Sequence, residues 1–151
     1  MKKINVFVDG SCINNPGPGG YCIILKYKKY KRIISAGYLF TTNNRMELMA
    51  AVQAIELIQK FYLIKIHTDS KYLCEGITKW IKIWKNRNWK TFNRKSVKNI
   101  DLWKRLDNAT KNHILEWKWI KGHSGHPENE QCDKLARIAA CYPTLNDFGY
   151  K

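Results

Sequence analysis

"FYLIKIHTDSKY", residues 61–72, is an apolar, β-branched run that stops on an acid and a serine. Its length and composition make residues 62–69 a strand. Ser70 suits the N-cap of a following helix and Asp69 suits the turn. Immediately upstream, "NNRMELMAAVQAIELIQKF" (43–61) repeats Met46, Met49, Val52, Ile55 and Ile58 at helical spacing, with Asn44 placed to cap it. Further back, "INVFVD" (4–9), "YCIILKY" (21–27) and "RIISAGYLF" (32–40) read as three strands, joined by "GSCINNPGPGG" (10–20) and the basic turn "KKYK" (28–31). Short connections make those three an antiparallel meander. The strand, helix, strand order that ends in 61–72 requires a parallel crossover. The sheet is therefore mixed.

The remaining chain extends this plan. Residues 71–113 read as mostly helical and amphipathic, interrupted by a Trp- and Lys-rich stretch. "ILEWKWI" (114–120) supplies a fifth strand, and after the loop "KGHSGH" (121–126) Pro127 opens a last helix, "PENEQCDKLARIAACY". Nothing after Pro143 shows a pattern. The expected fold class is α/β: a mixed five-stranded sheet flanked by helices, forming one domain over 1–151, with a basic Trp-rich protrusion at 78–98 and an irregular tail at 143–151. A chain of 151 residues buries roughly 68–70% of its unfolded surface, enough for a proper core.

Charge is the abnormal feature of the composition. Lys and Arg number 27 against 12 Asp and Glu, a formal charge of +15, which favours a polyanionic partner. Five cysteines, at 12, 22, 74, 132 and 141, form no Cys-x-x-Cys pair, against both a disulfide framework and a zinc site. The leading "MKKINVFVDG" has its apolar run broken by Asn5 and stopped by Asp9 and Gly10, so it does not read as a signal peptide. No uninterrupted apolar run approaches the roughly 20 residues of a membrane span. A cytoplasmic, monomeric protein with no membrane association is expected.

In a chain so poor in acids, the positions of four of them stand out. Asp9 repeats the setting of Asp69: an apolar strand, an acid at its C-terminal end, then a small residue. If the two strands are parallel neighbours, both carboxylates reach the carboxyl edge of the sheet, where open α/β folds place their ligands. Glu47 shares its helix side with Ala50, Ala51 and Ala54, and Asp133 shares its side with Ala136 and Ala140. Clustered carboxylates without Cys or paired His suit hard cations, Mg²⁺ or Mn²⁺. Two such ions can clamp the attacking and leaving oxygens of a phosphoryl displacement.

The motifs "VDGSC.NNPGPGGY", "TTNNRMELMA", "HTDSKY" and "WIKGHSGHPENEQCDKLA", in this order and spacing, resemble bacterial type 1 ribonuclease H over residues 3–150. The resemblance implies an endonuclease that cuts the RNA strand of an RNA/DNA hybrid, leaving 5′-phosphate and 3′-hydroxyl ends. It makes Asp9, Glu47, Asp69 and Asp133 the metal-binding carboxylates, with one or two Mg²⁺ ions and Mn²⁺ as a substitute. In the two-metal scheme that it implies, Asp9 bridges both ions, Glu47 and Asp69 favour the ion that activates water, and Asp133 favours the ion beside the leaving 3′-oxygen. His123 would accept a proton from the attacking water or help the product phosphate leave.

Residues 78–98 contain no acid, and the resemblance identifies them with a protrusion that grips the DNA strand through Lys82, Lys85, Arg87, Trp89 and Lys90. It places the DNA backbone against Thr42, Asn43 and Asn99 and the rings of Trp80 and Trp84. Cys12, through its backbone, with Asn14, Asn15 and Asn44, would sense the 2′-hydroxyls of the RNA strand. Where many relatives carry Gln, this chain has Lys71, which cannot accept a hydrogen bond but can reach a phosphate. A DNA nuclease or strand-transferase of the same broad fold would also cluster acids, but "NNPGPGG" and "KGHSGH" belong to the ribonuclease pattern. A non-catalytic binding module would explain the charge and the tryptophans. It would not explain carboxylates that, facing phosphate without a metal, weaken binding.

Overall fold

The computed structural model describes residues 2–59, 63–122 and 125–151. Strands β1 (Lys3–Cys12), β2 (Gly17–Tyr27) and β3 (Tyr30–Thr41) form the expected meander, and each is longer than its apolar run because paired glycines and polar residues extend the ladder. Helix α1 (Asn43–Leu57) crosses to β4 (Leu63–Thr68), which pairs parallel with β1, and β5 (Ile114–Trp119) pairs parallel with β4. The five strands lie in the order β3-β2-β1-β4-β5. Between β4 and β5 come α2 (Lys71–Glu75), a π-helical turn (Gly76–Trp80), α3 (Ile81–Asn86) and α4 (Ile100–Thr110); α5 (Pro127–Cys141) follows β5. Among the described residues no helix is long and apolar enough to cross a membrane.

Strand alternation divides the interior into two layers. Ile4, Val6 and Val8 of β1, Ile23 and Leu25 of β2, and Ile64 and Ile66 of β4 face α1 and α4 in the main core. Each such aliphatic side chain contributes about 1.5–3 kcal/mol on burial. Cys22, Ile24 and Phe7 face the other way, against Cys132, Leu135 and Ala136 of α5. That helix lies over β1, β2 and β3, and it sits directly on the backbone of β2: a Cβ at Gly20 would lie 2.6 Å from the Ala136 carbonyl oxygen.

Two readings of the sequence are corrected. Thr42, not Asn44, caps α1: its extended backbone (φ −129°, ψ 162°) leads out of β3 and its Oγ1 accepts the Arg45 N–H. The tail after Pro143 is not free of pattern, since Leu145 bridges to Tyr38 on the open edge of β3. Ser70 caps α2 as expected, accepting the Leu73 N–H at 3.0 Å. In the mostly helical stretch, the ladder slips into a π turn where Gly76 lies against the ring of Trp103, leaving no room for a side chain.

The tail is held by a buried charge network. Arg45, 2% exposed, donates to Asp101 from both terminal nitrogens and to Asp147 from Nε and Nη2, while Thr41 Oγ1 also donates to Asp147. One guanidinium thus fastens the first turn of α1, the first turn of α4 and the C-terminal tail. Arg45→Ala strands the buried Asp147 carboxylate and is expected to cost about 3–5 kcal/mol in urea unfolding. A loss under 1 kcal/mol would show that the network carries no such load.

Candidate active site

Asp9 lies near the end of β1, and Asp69 follows β4 directly. Because β1 and β4 are parallel, with Phe7 opposite His67, their acids emerge side by side at one edge. Glu47 comes from the first turn of α1, where Gly10 lets the helix rest on the strand: an added Cβ would lie 2.6 Å from the Glu47 nitrogen and 2.7 Å from the Met46 carbonyl carbon. The Gly10 N–H is shared, donating to Asp9 Oδ1 at 2.9 Å and to Glu47 Oε1 at 3.0 Å. One carboxylate oxygen from each of Asp9, Glu47 and Asp69 lies within 4.8 Å of the others.

This geometry is costly for bare anions. Burial pushes the Asp9 carboxyl up to about 7; the contact with Glu47 opposes the rise, and the charges of Asp69 and Asp133 add to it. Glu47 is raised well above the ordinary carboxylate range, first by burial and then by the charge of Asp9. Among the described residues, no N–H or hydroxyl reaches the buried Asp9 Oδ2 and Glu47 Oε2. Two orphaned buried oxygens beside a third carboxylate, with hard oxygen donors throughout, fit a divalent cation.

Asp133 stands at the rim. Its charge acts on Asp9, but its carboxylate pairs with Arg137 at 3.2 Å and is outside the close group of three. His123 lies outside the described residues. Trp119 Nε1 donates to the Asp69 carbonyl at 3.0 Å, and a Cβ at Gly122 would meet Asp69 Oδ2 at 3.1 Å, so β5 and the loop after it brace the second acid.

The residues expected to contact a substrate divide into surface and scaffold. Asn14 and Asn44 are exposed, whereas Asn15 Oδ1 accepts the Asn43 N–H at 3.0 Å and ties the loop after β1 to the start of α1. The Cys12 thiol turns toward the Gly17 and Thr41 carbonyls, leaving its backbone at the loop. Thr42 is spent partly on its cap. Asn99, in the left-handed region at φ 61°, accepts from Arg45 Nη1 and donates to the Tyr72 hydroxyl, which also accepts from Trp103 Nε1.

Trp80, Trp84 and Trp89 form a chain of half-buried rings that joins Tyr72 and Trp103, with centroids 5.3–6.4 Å apart. Lys82, Arg87 and Lys90 are exposed around them, while Lys85 bridges to Asp107 at 3.0 Å. Lys71 places its ammonium 5.1 Å from the Trp119 ring centre. Reasoning from sequence missed Arg45 and Gly10. A cation in the first turn of a helix opposes the helix dipole and signals nearby acids, and a glycine immediately after a strand-end acid signals a close approach.

Known proteins resemble this chain in sequence and fold. The RNase H family model matches residues 1–141. Ribonuclease H of Sodalis glossinidius (strain morsitans) is 58% identical over 150 residues, covering 99% of this chain and 92% of the relative. That of Cronobacter sakazakii is 57% identical over 150 residues, covering 99% of this chain and 95% of the relative. Among solved structures, LC9-RNase H1, a type 1 RNase H with the type 2 active-site motif, superposes with a TM-score of 0.86 at 32% identity, covering 95% of this chain and 74% of that one. LC11-RNase H1, solved in complex with RNA/DNA hybrid, shares the fold at a TM-score of 0.71 and 19% identity, covering 92% and 97%. With a family model matched almost end to end and relatives of this identity along its whole length, the chain belongs to the ribonuclease H family.

Proposed function

We propose that this protein hydrolyses the RNA strand of RNA/DNA hybrids as an endonuclease, leaving 5′-phosphate and 3′-hydroxyl ends, with Mg²⁺ as its cation and Mn²⁺ as a substitute. The observation that carries the reading is the meeting of Asp9, Glu47 and Asp69 within 4.8 Å, two of their oxygens buried and, among the described residues, without donors. Asp9, Glu47 and Asp69, with Asp133 at the rim, would hold the divalent cations, which lower the pKa of water and neutralise charge on the phosphate.

The chain's own groups do the positioning. Gly10 aims two carboxylates with one N–H, and Trp119 holds the backbone of Asp69. Asn14 and Asn44, at the surface beside this edge, face the RNA strand, where a 2′-hydroxyl can both donate and accept. The arm of Lys82, Arg87 and Lys90, on its row of tryptophans, holds the DNA strand by phosphate contact. His123 accepts a proton from the attacking water or helps the product phosphate leave. The whole chain acts as one domain and as a monomer, and its five free thiols suit a reducing cytoplasm.

Cleavage of a hybrid labelled only in its RNA strand, with and without Mg²⁺, beside the matched DNA duplex and single-stranded RNA, tests the proposal. Metal-dependent cutting of the hybrid alone is the expected result. Binding without cutting under every divalent cation would refute it.

Linkage supplies a second test. Asp9 ionises near 4 in the unfolded chain and about 7 in the fold, so between those values the folded state holds more protons. The contribution of Asp9 to the stability of the metal-free protein is therefore fully present below pH 4 and is lost as the pH rises toward 7. Millimolar Mg²⁺ is expected to abolish the fall in stability in thermal melts, and Asp9→Asn to reduce it without metal, the buried Glu47 keeping its own share. A flat metal-free profile between pH 4 and 7 would contradict the assignment.

A further inference from the structure

The face of the sheet that α5 leaves open carries a second group of cations. Helix α5 lies over β1, β2 and β3, and on that same side the outward residues of β4 and β5 alternate with core residues: Lys65 and His67 on β4, Glu116 and Lys118 on β5. The strand register sets Asn5, Lys65 and Glu116 in one row and Phe7, His67 and Lys118 in the next, with Lys3 one step behind on β1. Phe7 and His67 stack with centroids 4.4 Å apart and planes 15° from parallel, and His67 Nε2 lies 3.1 Å from Asn5 Oδ1. Around that stack stand Lys3, Lys65 and Lys118, each close enough to act on His67 electrostatically, and His126 joins them from the start of α5. The acid within these rows, Glu116, is half-exposed and meets Lys65 at 3.8 Å.

Ordinary sheet design does not account for this. Lysines protect exposed strand edges from pairing, yet Lys3 and Lys65 sit on interior strands and project from the face. Cations gathered on neighbouring strands repel one another and are tolerated where a polyanion covers them. The rows also lead to the carboxylates: Phe7 precedes Asp9 by two residues on β1, and His67 precedes Asp69, just past the end of β4, by two, a step of about 7 Å along a strand.

The Trp-bearing arm lies on the opposite side of the sheet, where Trp84 and Trp89 pack on the main core. A duplex seated on the arm and across the strand ends is too stiff to fold back over the far face, because bending a short duplex sharply costs several kcal/mol. A single strand bends freely. The two strands that α5 leaves uncovered, β4 and β5, make a face about 10 Å wide, room for one phosphodiester chain.

We propose that this face, built from Lys3, Lys65, His67 and Lys118, is a second nucleic-acid contact that binds the phosphates of a single-stranded extension of the RNA strand as it passes the carboxylate edge. The proposal rests on the hybrid reading for the identity of that strand. Three lysine contacts to a single strand correspond to a salt slope of about 2 in log K against log salt.

The test compares binding, in metal-free buffer, of a blunt fluorescent hybrid with hybrids whose RNA strand continues eight nucleotides past either end. The native chain is expected to bind one extended hybrid about tenfold tighter than the blunt one at low salt, with the steeper slope. Lys3→Gln/Lys65→Gln/Lys118→Gln should return that ratio to one and leave blunt binding and blunt cleavage unchanged, its fold checked by melting. Lys82→Gln/Lys90→Gln should weaken blunt binding and keep the ratio. A ratio of one in the native chain, or a ratio that survives loss of the three lysines, overturns the proposal. So does lysine-dependent capture by anionic vesicles with no effect of the RNA extension. Failure of blunt cleavage with Mg²⁺ would instead count against the hybrid reading itself.

Discussion

Asp69→Asn is expected to lower hybrid cleavage about 10³-fold or more while leaving metal-free binding of the hybrid intact. The amide keeps the shape of the side chain and removes one of the three oxygens' charges, the element on which cation affinity at this edge depends. Its effect on the fold runs the other way. The Asp69 charge raises the pKa of both Asp9 and Glu47, so its loss relieves repulsion at a buried pair. Metal-free melting should therefore rise or hold, and the stabilisation by Mg²⁺ should shrink. Cleavage assays and paired melts on one preparation read both effects. Wild-type cleavage would refute the metal assignment, and a lower metal-free melting temperature would refute the account of repulsion.

Gly10→Ala is expected to damage the site without touching a charged group. The new Cβ meets backbone atoms of Met46 and Glu47 at 2.6–2.7 Å, and backbone cannot rotate aside. Helix α1 must move out by about 1 Å to restore ordinary contact, a strain of about 1–3 kcal/mol in unfolding experiments. That shift draws Glu47 off the Gly10 N–H, which also holds Asp9. A displacement of about 1 Å at reacting groups costs about 10²-fold in rate. The informative comparison is with an α1 core variant of equal instability, Val52→Ala, which leaves Gly10 and Glu47 in place. Equal cleavage by the two variants would mean that Gly10 serves packing alone.

Much of this is legible in the amino-acid sequence. The period-2 and 3.6-residue patterns of residues 4–69 require a meander, a helix and a parallel return strand, and parallel pairing carries Asp9 and Asp69 to one edge. Helix caps were less legible. Thr42, Asn43 and Asn44 all have capping side chains, and the choice fell to Thr42 because β3 delivers the chain there in extended conformation. The π turn at Gly76 depends on a tryptophan 27 positions away in sequence, Trp103, which no local pattern reports.

The candidate site divides in the same way. The chemistry of its acids, their places at strand ends and a helix start, and the family itself follow from the amino-acid sequence, because residue type and short-range spacing determine them. Tertiary structure decided that Arg45 binds the tail through Asp147, and that cations of β1, β4 and β5 share an uncovered face. These depend on contacts between segments far apart in the chain, and on which surfaces α5 leaves bare. Local propensity carries no information about either.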